Sequence, residues 1–408
     1  MKFSPPKGMR DFAPENMIKK QKTVDAIRSV FERYGFSPMD TPALESFDML
    51  SMKGSGDAIR REIYNFKDQG NRELGLRFDL TVSLARFLSN NPNMPKPFRR
   101  YAIGDVWRYD NPQASRWRQF TQADVDIVGS SSITADAECV SAAIESLEAV
   151  GLKDFVVRIN NRKFLESILL KCGVGKNKIE DVFRIIDKMD KIGKNGVDEE
   201  LKKLGVDAKE IFSYLGKDVS TLKDVDGYNE LSELKKILQD NGFGKRVKID
   251  ISLVRGLEYY TGNVFEVVSS LSVSIGGGGR YDKLMSLYGA GDLPAVGMSI
   301  GIDRLIELLD KGDAKTVSKV FIAVIGDIRK EAFNIANDLR KKGISTSIEL
   351  GDRNVKRQLE YASALAIPYV VVVGPDEIKN KTAKVRNMQT RKEDCVKLSE
   401  LADYFSNI

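Results

Sequence analysis

From Val317 onward the chain carries two near-continuous apolar runs, "KVFIAVIG" and "YVVVVG", each set among stretches of helical spacing. Runs rich in β-branched residues fit strands buried on both faces, and such strands need helices covering a parallel sheet on either side. The pattern predicts a strand at the first run, a helix over 328–342 closed by Gly343, and a strand at "ISTSIEL". A helix over 353–366 and a strand at the second run complete it. A small parallel α/β domain over 317–408 is expected, and it leaves more than three hundred of the 408 residues to be housed elsewhere. A chain of that length does not close around one core, so the remainder forms at least one further domain.

The remainder reads differently. Val24, Ile27, Phe31 and Tyr34 are spaced for a helix over 17–34, and Gly35, Pro38 and Pro42 end it in an extended segment. "REIYNFKDQGNRELGLRFDLT" predicts a hairpin turning at Gly70–Asn71, with a helix from about Val82. Short strands joined by a polar loop are expected over 98–128, and a helix from about Ala135 to Val150. Residues 163–243 turn lysine-rich and weakly helical, as an inserted helical subdomain would. Strands are expected again at 247–254 and 263–275, then a glycine run, then a helix from about Ile302. The expected class is an α+β core (1–162 with 244–316), a helical insertion (163–243) and the C-terminal α/β domain.

Composition removes several chemistries. The chain has no histidine, which excludes Ser-His-Asp and Cys-His mechanisms and the commonest general base. Cys139, Cys172 and Cys395 lie far apart and form no CxxC pair, so a structural zinc site or a disulfide framework is not expected. Any metal would sit among carboxylates and substrate oxygens, which favours magnesium. The N-terminal stretch lacks the apolar core of a signal peptide, and the apolar run "ALAIPYVVVV" is far too short to cross a membrane, so a soluble, cytoplasmic protein without membrane contact is expected. The segment from Val317 holds sixteen Lys/Arg against twelve Asp/Glu. That excess is compatible with a nucleic-acid partner and equally with a solvated surface.

Polar residues concentrate in three stretches. In "FRRYAIGDVWRYDNPQASRWRQFTQADVDIVGS" the arginines Arg108, Arg116 and Arg118 surround a loop. Strand alternation then puts Phe120, Gln122, Asp124 and Asp126 on one face. Buried carboxylates need partners, and arginines one strand away would supply them. An ion-pair lattice and a binding site both fit that face. "PAVGMSIGIDRL" is a glycine-rich strand entering a helix, with Arg304 near its start. "IGGGGRYD" lets a ligand approach backbone closely, yet it is neither a Walker loop nor GxGxxG, and alone it reads as a turn or bulge.

Taken together, 98–130 resembles motif 2 of the class II aminoacyl-tRNA synthetases, 294–305 resembles motif 3, and 17–45 with Pro42 resembles motif 1, the dimerisation motif. "LVRGLEYYTG" and "GGGGRYD" resemble the two signature peptides of the histidyl-tRNA synthetase family, and "KGMRDFAPE" is similar to its N-terminus. The resemblance covers nearly the whole chain and is weakest over 163–243. It implies a homodimeric histidine–tRNA ligase with a mostly antiparallel catalytic sheet and an anticodon-binding C-terminal domain. Such an enzyme activates L-histidine with ATP and Mg2+ and transfers it to tRNA(His).

The resemblance also assigns roles. It places Arg108 on the α-phosphate, Arg304 on the γ-phosphate end, Phe120 against adenine, and Arg116 in the loop near the nucleotide and the tRNA acceptor end. Gln113 matches the loop position that meets the extra guanine of the acceptor. Asp79 and Thr81 would hold the α-ammonium of histidine with Gln122 assisting, while Asp126 and Tyr260 take the ring nitrogens and Tyr281 lines the pocket. Some members have Glu-Gly-Thr at Asp79-Leu80-Thr81 and Glu at Asp126, so both carboxylates are shorter here. Arg255 would lie between the histidine carboxylate and the α-phosphate as the cationic catalyst. Tyr259 falls within the same histidine-binding signature, although an extended segment would turn its side chain away from the site.

Two other readings use the same motifs. A regulatory paralogue that binds histidine and assists the first enzyme of histidine biosynthesis keeps the core but lacks the C-terminal module. A non-catalytic tRNA-sensing module is the other, and no kinase segment accompanies it here.

Overall fold

The computed structural model describes residues 3–52, 61–111, 116–255, 259–269, 273–309 and 314–406. Two compact units emerge: Met1–Arg10 with Lys22–Asp310, and Asp11–Gln21 with Lys311–Ile408.

The first unit is organised by an eight-stranded sheet. After helix α1 (Pro14–Arg33) the chain forms β1 (Ser37–Pro38), then a small three-stranded sheet of β2 (Leu44–Ser46), β3 (Asn65–Lys67) and β4 (Glu73–Leu76). The expected hairpin is β3–β4, with Asn71 in the left-handed region at φ 58°. Helix α2 (Thr81–Asn90) leads to β5 (Phe98–Trp107) and β6 (Gln119–Val128), ten residues each and paired antiparallel along their whole length. Both strands exceed the short segments that sequence predicts, because the Arg108–Arg118 connection occupies only the tip.

Helix α3 (Ile133–Ala149) and β7 (Phe155–Asn161) come next. Five helices then separate β7 from β8 (Val247–Ile249): α4 (Arg162–Lys171), α5 (Ile179–Ile186), α6 (Met189–Lys203), α7 (Ala208–Leu215) and α8 (Tyr228–Asp240). Helix α6 is broken at Gly193, which takes φ 67° and ψ 176°. The core closes with β9 (Asn263–Ser269), β10 (Ser274–Arg280), α9 (Asp282–Leu287), β11 (Ala295–Gly301) and α10 (Ile302–Leu308). Two expectations change here. The strand expected over 247–254 stops at Ile249, because Asp250 turns the chain by accepting from the Ser252 N–H. The glycine run is strand, not turn: Gly276–Gly279 all pair with β11.

Strand order is β1-β5-β6-β11-β10-β9-β7-β8, antiparallel throughout except at the two outer pairs. Its two faces differ in chemistry. Val125, Ile127, Val296, Met298, Ile300, Phe265 and Val267 point to one face and are buried, with α3 packed there through the Cys139 thiol to the Val296 carbonyl and an Asp136–Arg280 ion pair. The opposite face carries polar residues in register. One row runs Arg158, Glu266, Gly277, Ser299, Asp124 and Ala102 across six strands. The next runs Asn160, Val264, Gly279, Gly297, Asp126 and Arg100.

The second unit holds β12 (Val320–Val324), α11 (Arg329–Lys341), β13 (Thr346–Ile348), α12 (Val355–Ala364), β14 (Tyr369–Val373), β15 (Thr382–Asn387) and β16 (Glu393–Lys397). Gly343 ends α11 at φ 78°. The sheet is mixed and not wholly parallel, in order β13-β12-β14-β15-β16, with β15 and β16 antiparallel. Those two strands alternate buried and exposed residues in a polar composition, so they lack the continuous apolar run that marks β12 and β14.

Candidate active site

The polar face of the large sheet is a floor on which buried charges meet. Arg100 on β5 is 1% exposed and lies 2.7 Å from Asp126 on β6, its register partner. The Tyr281 hydroxyl donates to the other Asp126 oxygen from the start of α9. Asp124 sits one pleat along. Burial pushes its carboxyl up to about 7, opposed by the Arg100 charge and reinforced by repulsion from Asp126. Asp126 and Asp79 are also raised by burial, with Arg100 lowering the first and backbone N–H groups the second. Asp124 and Asp126 face the enclosed guanidinium of Arg100, and Asp79 faces Arg108 and then Arg100, so burial, with repulsion from the other two added at Asp124, holds the three carboxyls above their ordinary range.

Asp79 caps α2. Its Oδ1 accepts from the N–H groups of Thr81 (3.2 Å) and Val82 (3.0 Å), while its Oδ2 is buried with no hydrogen-bond partner. Gln122 donates to Ser299 at 2.6 Å, which leaves its Oε1 buried and unpartnered, and Asp124 Oδ1 is likewise unpartnered. Buried acceptors without partners are rare in folded proteins. Three of them on residues of one neighbourhood are what a cationic ligand with several N–H donors would satisfy.

Beside this acidic floor lies a group of arginines. Arg304, at the start of α10, donates to the Ser274 carbonyl at 2.8 Å. Its guanidinium is pushed below its ordinary value by burial first, then by repulsion from Arg116, Arg108 and Arg255. Arg108 donates to the Phe78 carbonyl at 3.0 Å and lies 5.3 Å from the ring centroid of Phe120, which packs on Leu80, Ala102 and Val106. Arg116 pairs with Asp110 in the loop, and Arg118 rests over Tyr109. Arg304, Arg116, Arg108 and Arg255 repel one another even with Asp110 on Arg116 and Glu266 on Arg255, a surplus that a polyanion would relieve, and guanidinium groups suit phosphate oxygens.

Arg255 connects the two halves of the site. A Cβ built on Gly277 would fall 2.5 Å from its Cζ, so the guanidinium lies directly on the backbone of β10 in space that only glycine leaves open. Here the glycine run earns a function that its sequence alone did not show. Tyr259, Tyr260 and Tyr281 form one aromatic group, with ring centroids 5.0 Å apart for the first pair and 5.9 Å for Tyr259–Tyr281. Tyr259 is a buried aromatic of this core. It lies in a turn and not in a strand, so alternation does not apply, and its ring packs against Tyr281 in the same core.

The structure thus brings Asp79, Thr81, Arg108, Phe120, Gln122, Asp126, Arg255, Tyr259, Tyr260, Tyr281 and Arg304 to one region of the first unit. Gln113 lies outside the described residues. Reading the sequence missed Arg100, Asp124 as a titrating member of the floor, and Ser299. Arg100 and Ser299 become visible only once the strand register is known, while Asp124 already stands on the alternating face and lacks only its partners.

A family model for histidyl-tRNA synthetase matches residues 8–305, and one for an anticodon-binding domain matches residues 319–408. The chain belongs to the histidyl-tRNA synthetase family. A histidine–tRNA ligase of Aeropyrum pernix is 42% identical over 400 residues, covering 91% of each chain. Another, of Pyrobaculum arsenaticum, is 38% identical over 409 residues and covers 97% of each. The crystal structure of a histidyl-tRNA synthetase from a Nostoc species matches with a TM-score of 0.87 and 29% identity, covering 100% of this chain and 99% of that one. Relatives named as ligases match through the C-terminal module, so the aminoacyl-tRNA ligase reading stands over that of the regulatory paralogue. The class II synthetase architecture, with its anticodon-binding domain, is the one this family shares.

Proposed function

We propose that this site joins L-histidine to tRNA(His) in two steps, with roles that follow from the charges around the polar face. The observation that carries the proposal is the pairing of unsatisfied buried acceptors with a cluster of mutually repelling arginines. The acceptors Asp79 Oδ2 and Gln122 Oε1, with Thr81 beside them, take the α-ammonium of histidine. Asp126, held by Tyr281 and Arg100, and Tyr260 take the two ring nitrogens. Removing either nitrogen from a ligand would strand these polar groups, which is how such a pocket rejects other amino acids.

ATP lies along the arginines, with Arg108 toward the α-phosphate, Arg304 toward the γ-phosphate, Phe120 under adenine, and Arg116 in the loop near the nucleotide and the tRNA acceptor end. Arg255 stands between the histidine carboxylate and the α-phosphate. The carboxylate oxygen attacks the α-phosphorus, the bond to the β-phosphate oxygen breaks, and pyrophosphate leaves. Two anions must approach for this to occur, so neutralisation and alignment by fixed guanidinium groups supply the catalysis. The terminal adenosine hydroxyl of tRNA then attacks the acyl carbon, AMP leaves, and a phosphate oxygen takes the proton. No imidazole base is needed.

Magnesium fits this reading as a companion of the nucleotide. Among the described residues no group of three Asp, Glu or Cys could hold an ion unaided, so the phosphates would provide most ligands. The ion would draw charge from the phosphate oxygens. Gln113 is the proposed acceptor-end contact, and 317–408 the anticodon reader. Residues 1–162 with 244–316 would form the catalytic core, and 163–243 an insertion. A homodimer through the 17–45 region and a cytoplasmic location complete the proposal, and among the described residues no helix is long and apolar enough to cross a membrane.

The test is histidine-dependent ATP–pyrophosphate exchange by the purified full chain. Wild type should exchange, and Arg255→Ala should lose about 10²–10³-fold in rate while still binding histidine measurably. No exchange by the wild type at any magnesium concentration would sink the reading.

A further inference from the structure

Arg255 is carried on a loop that a neighbouring strand grips from beneath. Asn160 on β7 is fully buried and donates to the carbonyls of Ile251 (2.9 Å) and Leu253 (3.0 Å), fixing the backbone that leads into Arg255. Two residues earlier on β7, Arg158 lies 3.0 Å from Asp250, the residue that begins the same loop. The backbone path is therefore set by β7. A backbone does not by itself orient a side chain of four rotatable bonds, and something must hold the guanidinium.

That partner is Glu266. On β9 it stands directly between Arg158 on β7 and Gly277 on β10. One Glu266 oxygen accepts from Arg255 Nη1 at 3.3 Å, and the other lies 3.7 Å from Arg158 Nη2. Arg158 reaches on to Asp190 of the helical insertion at 2.8 Å. Glu266 is 16% exposed in its side chain and Arg255 25%, so the pair is partly shielded from water. With Nη1 committed to Glu266, Arg255 Nε is buried and without a hydrogen-bond partner. Gly277 leaves the floor open beneath it. One edge of the planar fork is thus tied down, and another is left for an oxyanion.

We propose that Glu266 is a positioning residue for adenylation: it sets the plane of the Arg255 guanidinium, and Arg158 holds Glu266 in turn. Glu266 touches neither substrate in this arrangement and acts through Arg255. The proposal rests on Arg255 being the cation that joins carboxylate and α-phosphate. It goes further by assigning a function to an Arg158–Glu266 pair that lies outside the resemblance motifs. A purely structural Glu266 would only neutralise Arg158 within the sheet. Its loss would then lower the melting temperature and leave turnover intact.

The experiment measures exchange kinetics and melting temperature for wild type, Glu266→Gln, Arg255→Ala and the double variant. Glu266→Gln keeps the shape, and Arg158 retains Asp250 and Asp190 as counter-ions. Its kcat should fall about 10–100-fold, with KM for histidine and for ATP within about 3-fold of wild type. The double variant should be no slower than Arg255→Ala alone, since both remove one device. A wild-type kcat in Glu266→Gln, a rise confined to KM, or losses that multiply in the double variant would each overturn the proposal. Wild-type exchange by Arg255→Ala would instead overturn the parent reading. If Glu266→Gln melts below the assay temperature, Glu266→Asp takes its place, retaining the charge but withdrawing it by one methylene. It should show the same loss in kcat alone, to a smaller degree, and an unaltered kcat would refute the role.

Discussion

Gly277→Ala separates catalysis from folding at a single carbon. The three atoms nearest to the added Cβ would be Cζ, Nη2 and Nη1 of Arg255, at 2.5, 2.6 and 2.7 Å. Carbon contacts settle at roughly 3.5–4.0 Å, so the guanidinium must retreat by about 1 Å. No backbone atom is among those three, so the retreat falls on the end of a flexible side chain. Alanine also recovers about 0.5–1 kcal/mol of the strand penalty of glycine, which leaves folding stability within about 1 kcal/mol of wild type. Misplacing a reacting group by about 1 Å costs on the order of 10²-fold in rate, or about 2.7 kcal/mol of barrier.

Exchange kinetics and a thermal melt of Gly277→Ala should therefore show a two-decade loss of kcat in a protein that melts near the wild-type temperature. The neighbouring Gly278→Ala is the contrast. There the Cβ would meet the Gly297 carbonyl oxygen at 2.0 Å, a backbone atom that cannot swing aside, so folding should fail first. Wild-type turnover in Gly277→Ala would refute the claim that Arg255 must lie on β10 to act, as would a large loss of stability.

Three further outcomes follow from the same site. Tyr281→Phe strips the donor from Asp126 and leaves a buried carboxylate oxygen unpaired, a cost of about 1–3 kcal/mol. In exchange assays the histidine KM should rise ~10-fold or more while that for ATP stays within about 2-fold, and an unchanged histidine KM would remove Asp126 from the pocket. Asp124, held up at about 7 by burial from an ordinary 3.8, stabilises the fold in its neutral form. That contribution is full below about pH 4 and is lost as pH rises through about 7. Urea unfolding should thus show Asp124→Asn gaining about 2 kcal/mol on wild type between pH 5 and 8, and parallel pH profiles would refute the shift. Arg304→Ala relieves repulsion on Arg108, Arg116 and Arg255, so the melting temperature should hold while the ATP KM climbs ~10–100-fold. An unaffected ATP KM would place the triphosphate elsewhere.

Much of this was legible in one dimension. The apolar runs at 320–324 and 369–373 announce buried strands, and Gly343 announces the end of a helix. The site arginines and the Phe120–Asp126 alternation stand within single peptides and can be read as such. What stayed hidden depends on pairing between distant strands. Arg100 and Asp126 meet because β5 and β6 share a ten-residue register, and nothing in either peptide fixes that register alone. Glu266 reads as an ordinary polar residue in a strand until β9 is placed between Arg158 and Gly277. The glycine run reads as a turn because glycine is poor strand material. It forms a strand by pairing with β9 and β11, and its lack of side chains leaves room for Arg255 at Gly277 and for the β11 backbone at Gly276 and Gly278. Alternation has no hold on Tyr259, because the residue lies in a turn, and its ring is buried as a core aromatic.

In the proposed reading the pocket would recognise an imidazole with carboxylates, phenols and guanidinium groups, and the 408-residue chain contains no imidazole of its own. In the complex with L-histidine, the ligand would therefore carry the sole such ring. Its ring-carbon proton resonances can be followed by NMR without any protein histidine signal beside them, so the protonation and tautomer of the bound ring are open to direct titration. Between pH 6 and 7, where histidine side chains dominate the buffering of most proteins, this one has no histidine, and burial raises the Asp124 carboxyl to about 7. Calorimetric proton uptake on binding in that window then reports on the ligand ring together with the raised carboxyls of the floor, Asp124 among them.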